Sequence, residues 1–250
     1  MLQFSQLTVS KRLCAVSGEA NAGQFVHVLG MNGSGKSSLL LTLAGLLSPD
    51  SGHIRLLEQS ISDYSLPQLA RIRCLQEQQQ STAFALSVAE ILQFYSGLAA
   101  IPELLEQALE VNAFWTRQIN HLSGGEARRV HIARCLMQVW PAIEQGKALV
   151  LLDEPNQGLD FKHQLLLFHL LKRIAGKGNV VIVNHHELNL AEQFADRIWL
   201  MQDGRMVAQA DALDRISYQT LSGIFGCQIR SAWDDEGNKI FQTFLEPDRL

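Results

Sequence analysis

The chain has 250 residues, of which 47% are hydrophobic and 18% charged, and its formal net charge is −4. This composition is typical of a folded globular protein, and the acidic balance argues against a nucleic-acid-binding protein, which needs an excess of Lys and Arg. No apolar run reaches the roughly 20 residues that cross a bilayer, and the first residues lack the order of a signal peptide, so any work at a membrane would need a partner. The four cysteines are widely spaced, which favours reduced thiols in a cytosolic setting over a disulfide framework or a zinc site. The composition as a whole leaves a cytosolic α/β enzyme as the leading class.

The first third of the chain predicts strands around one helix. Residues 2–9 and 25–29 have strand patterns, and residues 52–58 follow a turn-like segment into a third strand. Residues 38–47 have the length and apolar character of a helix that ends before Pro49. A glycine-rich stretch therefore lies between a predicted strand and a predicted helix.

The middle of the chain, from about Gln78 to Gln138, carries helical signals and no convincing strand. Ser87 and Ser123 each precede a Glu by three residues and predict capping boxes at helix starts. Pro102 suits a first helical turn. These signals predict a helical insert between strand-rich flanks.

The last third predicts buried parallel strands. Residues 148–152, 179–183 and 197–201 are short apolar runs with polar ends, and helical stretches separate them. This alternation predicts a parallel sheet flanked by helices. The tail, residues 211–250, predicts one helix and two strand-like pieces joined by a turn.

The glycine-rich stretch predicts a phosphate site. Residues 30–37 match G-x-x-x-x-G-K-[ST], in which glycines let backbone N–H groups curl around phosphates, Lys36 contacts the β/γ-phosphates and Ser37 binds Mg²⁺. The strand before it and the helix after it are the context that the motif requires, whereas a chance glycine loop is the alternative. The predicted binding residues are Gly30, Met31, Asn32, Gly33, Ser34, Gly35, Lys36, Ser37 and Ser38.

Residues 148–155 form an apolar run that ends in two carboxylates, Asp153 and Glu154. A parallel strand presents such residues at its carboxyl end, where ligands bind in α/β sheets. Asp153 would hold Mg²⁺ through water, and Glu154 would polarise the attacking water. The alternative is a pair of solvated turn carboxylates. His185 and His186 follow the next apolar run to the same edge, where one of them is either catalytic or structural.

Residues 122–126, Leu-Ser-Gly-Gly-Glu, lie between these two motifs and continue into an arginine-rich helix. With these motifs in this order, the whole chain is similar to the ATP-binding subunits of ABC transporters. The matching segments are Gly30–Ser37 for Walker A, Gln78 for the Q-loop, Leu122–Glu126 for the signature, Val150–Glu154 for Walker B, Gly158–Asp160 for the D-loop and His186 for the H-loop.

The resemblance implies ATP and Mg²⁺ as cofactors and assigns roles to the matching residues. The implied metal ligands are Ser37, Gln78 and Asp153, and the implied catalytic residues are Glu154, His186, Lys36 and Gln78. The signature residues Ser123, Gly124, Gly125 and Glu126 would contact ATP held by a second copy of the chain. The resemblance thus implies a head-to-tail dimer with two ATP between the monomers. A helix start suits such a contact, because its N–H groups can donate to an anion.

The resemblance also implies a fold and a domain organisation. The expected fold class is α/β, with a P-loop NTPase core on a mixed, largely parallel sheet, an antiparallel β subdomain at the N-terminal side and a helical signature subdomain. We predict a single ATPase domain over residues 1–250. Residues 1–77 and 146–250 would form the core with the β subdomain and a short tail, and residues 78–145 the helical subdomain.

Several stretches, including residues 17–40 and the three glutamines at 78–80, are similar to the ATP-binding subunits of vitamin B12 importers. This implies cobalamin as the cargo, two membrane permease subunits as partners and, indirectly, a periplasmic cobalamin-binding protein. No nucleic acid is expected. The chain would lie at the cytoplasmic face of the bacterial inner membrane as a peripheral protein. Iron-siderophore and haem importers use similar permeases and remain the alternative.

Three positions depart from the family pattern. Most relatives stack adenine on an aromatic side chain in the first loop, and here no aromatic residue lies between Val9 and Phe25. Arg12 is the nearest substitute, because a guanidinium can stack on a base, although a plain surface arginine is equally compatible. Met31 stands where proline is common and His185 where serine or threonine is common.

Other classes of protein fit the sequence less well. A soluble ABC ATPase that works on DNA or ribosomes usually has two cassettes, a coiled-coil insert or a basic surface. A small-molecule kinase would leave the signature helix unexplained, and a catalytically dead subunit would not retain Lys36, Asp153, Glu154 and His186 together. The apolar Phe84-Ala85-Leu86 is a candidate docking surface for a partner, with a local core contact as the alternative.

Overall fold

A computed structural model describes residues 1–77, 86–98 and 100–245. Within these ranges, every helix is too short or too polar to span a bilayer. The strands are β1 (Leu2–Val9), β2 (Leu13–Ala20), β3 (Phe25–Leu29), β4 (Ser51–Leu56), β5 (Gln59–Ser60), β6 (Arg73–Gln76), β7 (Leu149–Asp153), β8 (Val180–His185), β9 (Arg197–Gln202), β10 (Arg205–Ala210), β11 (Gln228–Trp233) and β12 (Lys239–Phe244). The helices are α1 (Lys36–Leu43), α2 (Leu66–Ile72), α3 (Val88–Ser96), α4 (Glu103–Leu109), α5 (Gly124–Gln138), α6 (Trp140–Glu144), α7 (Phe161–Gly176), α8 (Leu188–Phe194) and α9 (Tyr218–Phe225).

The largest sheet has six strands in the order β10-β9-β3-β8-β7-β6. Strands β9, β3, β8, β7 and β6 are parallel, and β10 pairs antiparallel with β9 at one edge. Strands β3, β7 and β8 are buried on both faces, which is why their sequences are nearly continuous apolar runs. Their carboxyl ends lie at one edge, where Asp153 pairs in register with Asn184.

A second sheet is antiparallel, with the order β2-β1-β4-β5, and β11 and β12 form a separate hairpin near the carboxyl end. The predicted fold class is therefore confirmed: a mixed, largely parallel sheet lies beside an antiparallel β sheet at the N-terminal side. The helices α3, α4 and α5 lie between β6 and β7 in the chain, as the helical signals predicted.

Buried apolar side chains fill both faces of the large sheet. On one face, Val150 and Leu152 of β7 pack with helices α5 and α7. On the other face, Leu149 and Leu151 pack with α1 and the antiparallel sheet. A third cluster joins α8, α9 and the terminal hairpin to Leu29 and Leu200. Since one cluster continues from α3–α5 into the sheet, the subdomain boundaries at residues 78 and 145 stay a prediction.

Two helix starts follow the predicted capping chemistry. Ser87 and Ser123 each accept a hydrogen bond from the backbone N–H of the Glu three residues later, in both cases at 3.3 Å. The carboxylates of Glu90 and Glu126 accept in return from the Ser backbone N–H groups at 2.7 Å. These reciprocal bonds satisfy N–H groups that a helix start would otherwise leave unpaired.

One helix boundary was predicted wrongly. The helix expected over residues 38–47 is α1, which begins at Lys36 and ends at Leu43. Gly45 adopts φ +71° just beyond it, which is the left-handed conformation that commonly ends a helix. The apolar residues after Gly45 continue the hydrophobic pattern but not the helix.

Four strands were missed, because β5 has only two residues and the sequences of the other three lack a clear period. Strand β2 contains glycine, serine and glutamate, and β6 is only four residues long. Strand β10 alternates exposed and half-buried residues at the sheet edge. Asp203 and Gly204, both with positive φ, turn the chain from β9 into it. That Asp-Gly pair is a hairpin signal that predicts the turn.

Candidate functional site

A cleft of about 760 Å³ opens at the carboxyl edge of the large sheet. Four segments line it: the turn between β1 and β2, the loop after β3, the end of β7 and the turn between β9 and β10. The lining residues are Lys11, Arg12, Leu13, Cys14, Asn32, Gly33, Gly35, Lys36, Ser37, Ser38, Glu154, Asp203 and Gly204. The structure therefore brings the predicted phosphate loop, Glu154 and Arg12 together.

The loop after β3 leads directly into α1, so the positive end of that helix faces the cleft. Lys36 is the first residue of α1, and its ammonium donates to the carbonyl oxygens of Gly30 at 2.7 Å and Met31 at 2.9 Å. Burial lowers the pKa of Lys36, and the carboxylates of Glu154 and Asp153 oppose that shift. Its charge thus lies between the loop and the carboxylates at the end of β7.

Two loop positions have no room for a side chain. A Cβ on Gly30 would lie 2.3 Å from the carbonyl oxygen of Met201, and a Cβ on Gly35 would lie 3.0 Å from that of Arg12. Both residues also have positive φ, +152° and +101°. Glycine is required here because the backbone itself makes the close approach.

Gly30→Ala should destabilise the fold, because the nearest obstacle is a backbone oxygen that cannot rotate away. We expect a loss of about 1–3 kcal/mol in the free energy of unfolding. Gly33→Ala is the matched control: its φ is +82°, but its Cβ would meet nothing within 4 Å. Urea unfolding of both variants measures the difference. Equal losses would mean that only φ matters and that the contact with Met201 is unimportant.

Strand β7 ends at Asp153, and Glu154, which follows it, lines the cleft; both residues are buried. Glu154 has φ +47°, an uncommon value for a residue other than glycine. Its backbone N–H donates to Oδ1 of Asn184 at 2.7 Å and to the carbonyl oxygen of Asn184 at 3.2 Å. Arg128 of α5 donates to the carbonyl oxygens of Asp153 and Glu154.

Several buried polar atoms at this edge have no hydrogen-bond partner within the described part of the chain. They include Ser34 Oγ, Asp153 Oδ1 and Asn184 Nδ2. Unpaired buried polar groups are costly, so they indicate a missing partner such as an ion, water or ligand. Asp153 Oδ1 and the exposed hydroxyl of Ser37 are hard oxygen donors of the kind Mg²⁺ takes, usually from few side chains. Gln78, the third predicted metal ligand, lies outside the described residues.

The two adjacent histidines have different surroundings. His185 is fully buried, and its Nδ1 accepts from the N–H of Glu187 at 3.1 Å, so its Nε2–H donates to Nδ1 of His27 at 2.9 Å. Burial, with His186 and Lys36 nearby, lowers the pKa of His185 to about 3. His186 is exposed at the end of β8. Of the pair, His186 is thus the one accessible to a ligand, and His185 is structural.

The signature residues do not line the cleft of their own chain. Ser123 and Gly124 are exposed at the start of α5. Gly125 faces the D-loop, where a Cβ on it would lie 2.9 Å from the carbonyl oxygen of Gly158. Arg117 and Glu126 form an ion pair at 3.2 Å beside them. A single copy therefore leaves this segment apart from the phosphate loop, and its predicted role in ATP binding stays a prediction.

Asp203 and Gly204 are cleft residues that the sequence reasoning missed. The N–H of Gly204 donates to the carbonyl oxygen of Ser34 at 3.0 Å, and its own carbonyl accepts from Cys14 at 2.8 Å. This turn supports both the phosphate loop and the segment that carries Arg12. The Asp-Gly turn signal was available, but nothing in it indicated contact with the loop.

The buried His131 of α5 should make the free energy of unfolding depend on pH in the acid range. Burial, aided by Arg134 and Arg128, lowers the pKa of His131 to about 4, whereas an unfolded histidine titrates near about 6.5. As the pH falls from 6.5 towards 4, the unfolded chain binds a proton that the folded chain does not. We therefore expect the free energy of unfolding to fall by up to about 1.4 kcal/mol per pH unit from this group.

The measurement is urea unfolding at pH 7 and pH 5 of the wild-type chain and of His131→Leu, which should lose less stability. The lowered pKa values of His27 and His185 act in the same direction and persist in the variant. Glu126, whose pKa is lowered from 4.5, loses its contribution only below that pH. An identical pH response in the variant would exclude His131 as a source.

Comparison with known proteins agrees with this geometry. The family model for ABC transporters matches residues 13–157. The vitamin B12 import ATP-binding protein BtuD of Yersinia enterocolitica is 38% identical over 232 residues, covering 90% of this chain and 91% of that protein. The hemin import ATP-binding protein HmuV of Hahella chejuensis is 45% identical over 197 residues, which cover 76% of this chain and 77% of that protein.

Solved structures show the same fold. A dimeric, post-hydrolysis state of the ATP-binding cassette MJ0796 bound to ADP and Pi superposes with a TM-score of 0.70 at 25% identity. The superposition covers 84% of this chain and 98% of the MJ0796 chain. The chain is therefore similar to cassettes that bind adenine nucleotides and form dimers.

Proposed function

The chain belongs to the ABC transporter family, and from that premise we propose that it is the ATP-hydrolysing subunit of an importer for cobalamin. The observation that carries the hydrolytic part is the cleft, which is lined both by Lys36, at the glycine loop and the start of α1, and by Glu154. The likeness to vitamin B12 import proteins supports the cargo.

The chain's own residues would hold ATP as follows. Backbone N–H groups of residues 30–38 and the start of α1 would bind the phosphates, and Lys36 would exchange its bonds to the carbonyls of Gly30 and Met31 for phosphate oxygens. Ser37 and Asp153 would hold Mg²⁺, with Gln78 as a further ligand. When bound, this ion neutralises charge on the phosphates. Arg12 lines the cleft and would contact the adenine.

Glu154 would orient the attacking water and accept its proton. It lines the cleft beside the loop, where a buried carboxylate can approach the water that attacks the γ-phosphate of ATP. His186, exposed at the same edge, would contact the γ-phosphate side of the site. Hydrolysis in this class depends on positioning and charge stabilisation more than on covalent chemistry.

The second half of each ATP site would come from another copy of the chain. Ser123, Gly124, Gly125 and Glu126 are held at the start of α5 but lie outside their own cleft. A head-to-tail dimer would place this helix start, with its N–H donors, against the partner's ATP. Closing on ATP and reopening after hydrolysis would then drive two permease subunits.

The transported molecule would be cobalamin, delivered to the permeases by a periplasmic binding protein. The support is the similarity to a vitamin B12 import protein over nine-tenths of the chain. The higher identity to a hemin import protein, over a shorter stretch, favours haem as the second candidate. The chain would act at the cytoplasmic face of the inner membrane, attached through its permeases.

Transport by the reconstituted importer distinguishes these cargoes. The chain is assembled with its native permease in liposomes, with the cognate binding protein supplied. We expect ATP-dependent uptake of cobalamin, and no uptake with Glu154→Gln as the matched control. Uptake of haem or a ferric siderophore in place of cobalamin would establish the alternative importer. The ATPase role would be unaffected by that result.

The docking surface predicted at Phe84-Ala85-Leu86 is a proposal for contact with the permease. Phe84 and Ala85 lie outside the described residues, and Leu86 is exposed. Phe84→Asp should leave ATP binding intact and reduce retention of the chain on permease-containing membranes. Unchanged retention would place the docking surface elsewhere.

A further inference from the structure

We propose that Asn184 is a positioning residue that holds Glu154 in its productive conformation. The proposal rests on the proposed role of Glu154 in hydrolysis and deepens it. It concerns the peptide backbone of Glu154, which other parts of the fold must hold because the conformation is not one that a glutamate prefers.

The conformation of Glu154 requires support. Its φ of +47° lies in the left-handed region, which costs about 1 kcal/mol or more for a residue with a Cβ. This backbone turn directs the chain out of β7 and into the cleft edge. Such a conformation persists only where neighbouring groups fix it.

Asn184 supplies the bond on the N–H side. Its Oδ1 accepts from the Glu154 N–H at 2.7 Å, and because that partner is a donor, the amide oxygen must be the atom that faces it. The carbonyl oxygen of Asn184 also accepts from the same N–H, but at 3.2 Å. An apolar residue at position 184 would leave only the longer bond.

Arg128 supplies the bond on the carbonyl side. It reaches from α5 to the carbonyl oxygens of Asp153 and Glu154, and it also donates to the carbonyl of Glu77 at 3.3 Å. The Glu154 peptide unit is therefore held from two directions, by strand β8 and by the signature helix. Two independent elements thus fix the backbone from which its carboxylate extends.

The alternation of β8 explains why this task falls to Asn184. Val180 and Ile182 pack on the face that carries α1, so Asn184 shares the face of the phosphate loop. His185 points to the opposite face, where its ring meets Phe168 at 5.7 Å. Asn184 is fully buried, and its Nδ2 has no partner within the described residues. An unpaired buried donor destabilises the fold, so packing alone does not explain why an amide side chain stands at position 184.

The test compares Asn184→Ala with a matched control, Asn189→Ala, in the full-length chain. Oδ1 of Asn189 also accepts a backbone N–H at 2.7 Å, that of Phe241, but Asn189 does not line the cleft. Asn184→Ala should lower the kcat for ATP hydrolysis by about 10–100-fold, the effect of a small misplacement of a catalytic group. The KM for ATP should stay within about twofold because the phosphate loop is unchanged. Asn189→Ala should keep wild-type kcat.

A double variant separates positioning from a general structural role. In the Glu154→Gln background, Asn184→Ala should change the residual rate by less than about twofold, because residues that act as a unit are not additive. A structural role would lower the rate again by the full factor. Thermal unfolding of each variant confirms that it is folded, and Asn184→Ser offers a smaller change with the same expected direction.

Each outcome decides the proposal. Wild-type kcat in both Asn184 variants, or an additive loss in the Glu154→Gln background, would overturn it while leaving Glu154 as the base. Wild-type kcat in Glu154→Gln itself would overturn the role of Glu154, and the positioning role with it. The two failures are distinguished by that single variant.

Discussion

Glu154→Gln should hydrolyse ATP about 10²–10⁴-fold more slowly than the wild-type chain, because an amide cannot accept the proton of the attacking water. Its affinity for ATP should be nearly unchanged, since Lys36 and the glycine loop remain in place. ATP that is bound and not hydrolysed should also favour a stable dimer. Steady-state hydrolysis, nucleotide binding and size-exclusion chromatography with ATP measure the three effects.

Lys36→Ala is the contrasting variant. It removes charge from the ground-state phosphates as well as from the transition state, so it should weaken nucleotide binding itself. A Glu154→Gln chain that hydrolyses ATP at a near-normal rate would assign the base to another residue. A Lys36→Ala chain that binds ATP normally would mean that the ammonium stays on the carbonyls of Gly30 and Met31 when ATP is bound.

Ser123→Ala should lower hydrolysis by about 10²-fold, the usual loss when one donor to a transition-state oxyanion is removed. Ser123 does not line its own cleft, so the loss should come from the partner's ATP. A mixture of Ser123→Ala and Lys36→Ala chains should then recover activity. In the mixed dimer, one site combines an intact loop from the first chain with an intact signature from the second.

Ser87→Ala is the matched control for this experiment. Ser87 and Ser123 make the same capping bond, each at 3.3 Å, so both variants lose one helix cap worth about 1 kcal/mol. Ser87→Ala should therefore lose stability but keep its hydrolysis rate. If mixed dimers form and no activity returns, the shared-site arrangement is wrong.

Several segments of the candidate site could be located in the sequence because each is a run of contiguous residues. The phosphate loop, the paired carboxylates and the capping box at Ser123 are short patterns whose chemistry depends on neighbours in sequence. The same holds for the buried strands β3, β7 and β8, whose apolar runs show burial on both faces. By contrast, β2, β6 and β10 lack such runs. These segments are strands because they pair with neighbouring strands in the sheets.

His185 and His186 could not be distinguished by pattern, and the strand's alternation buries one and exposes the other. The helix after the loop ends at Leu43, although the apolar pattern continues, because Gly45 turns the chain. In both cases the side-chain type was compatible with either outcome, and the backbone direction decided it.

By itself, the sequence determined a loop that can cradle phosphate and a strand that ends in carboxylates, because local spacing specifies both, and the order of its motifs resembles that of ABC transporter ATP-binding subunits. Only the tertiary structure decided what surrounds them. It brought Asp203 and Gly204 from a distant turn against the loop, and it placed Asn184 and Arg128 on the two sides of the Glu154 peptide. The least separated of these contacts, between Arg128 and Glu154, joins residues 26 positions apart. Such contacts depend on how strands pair and helices pack, and no local pattern in the chain encodes them.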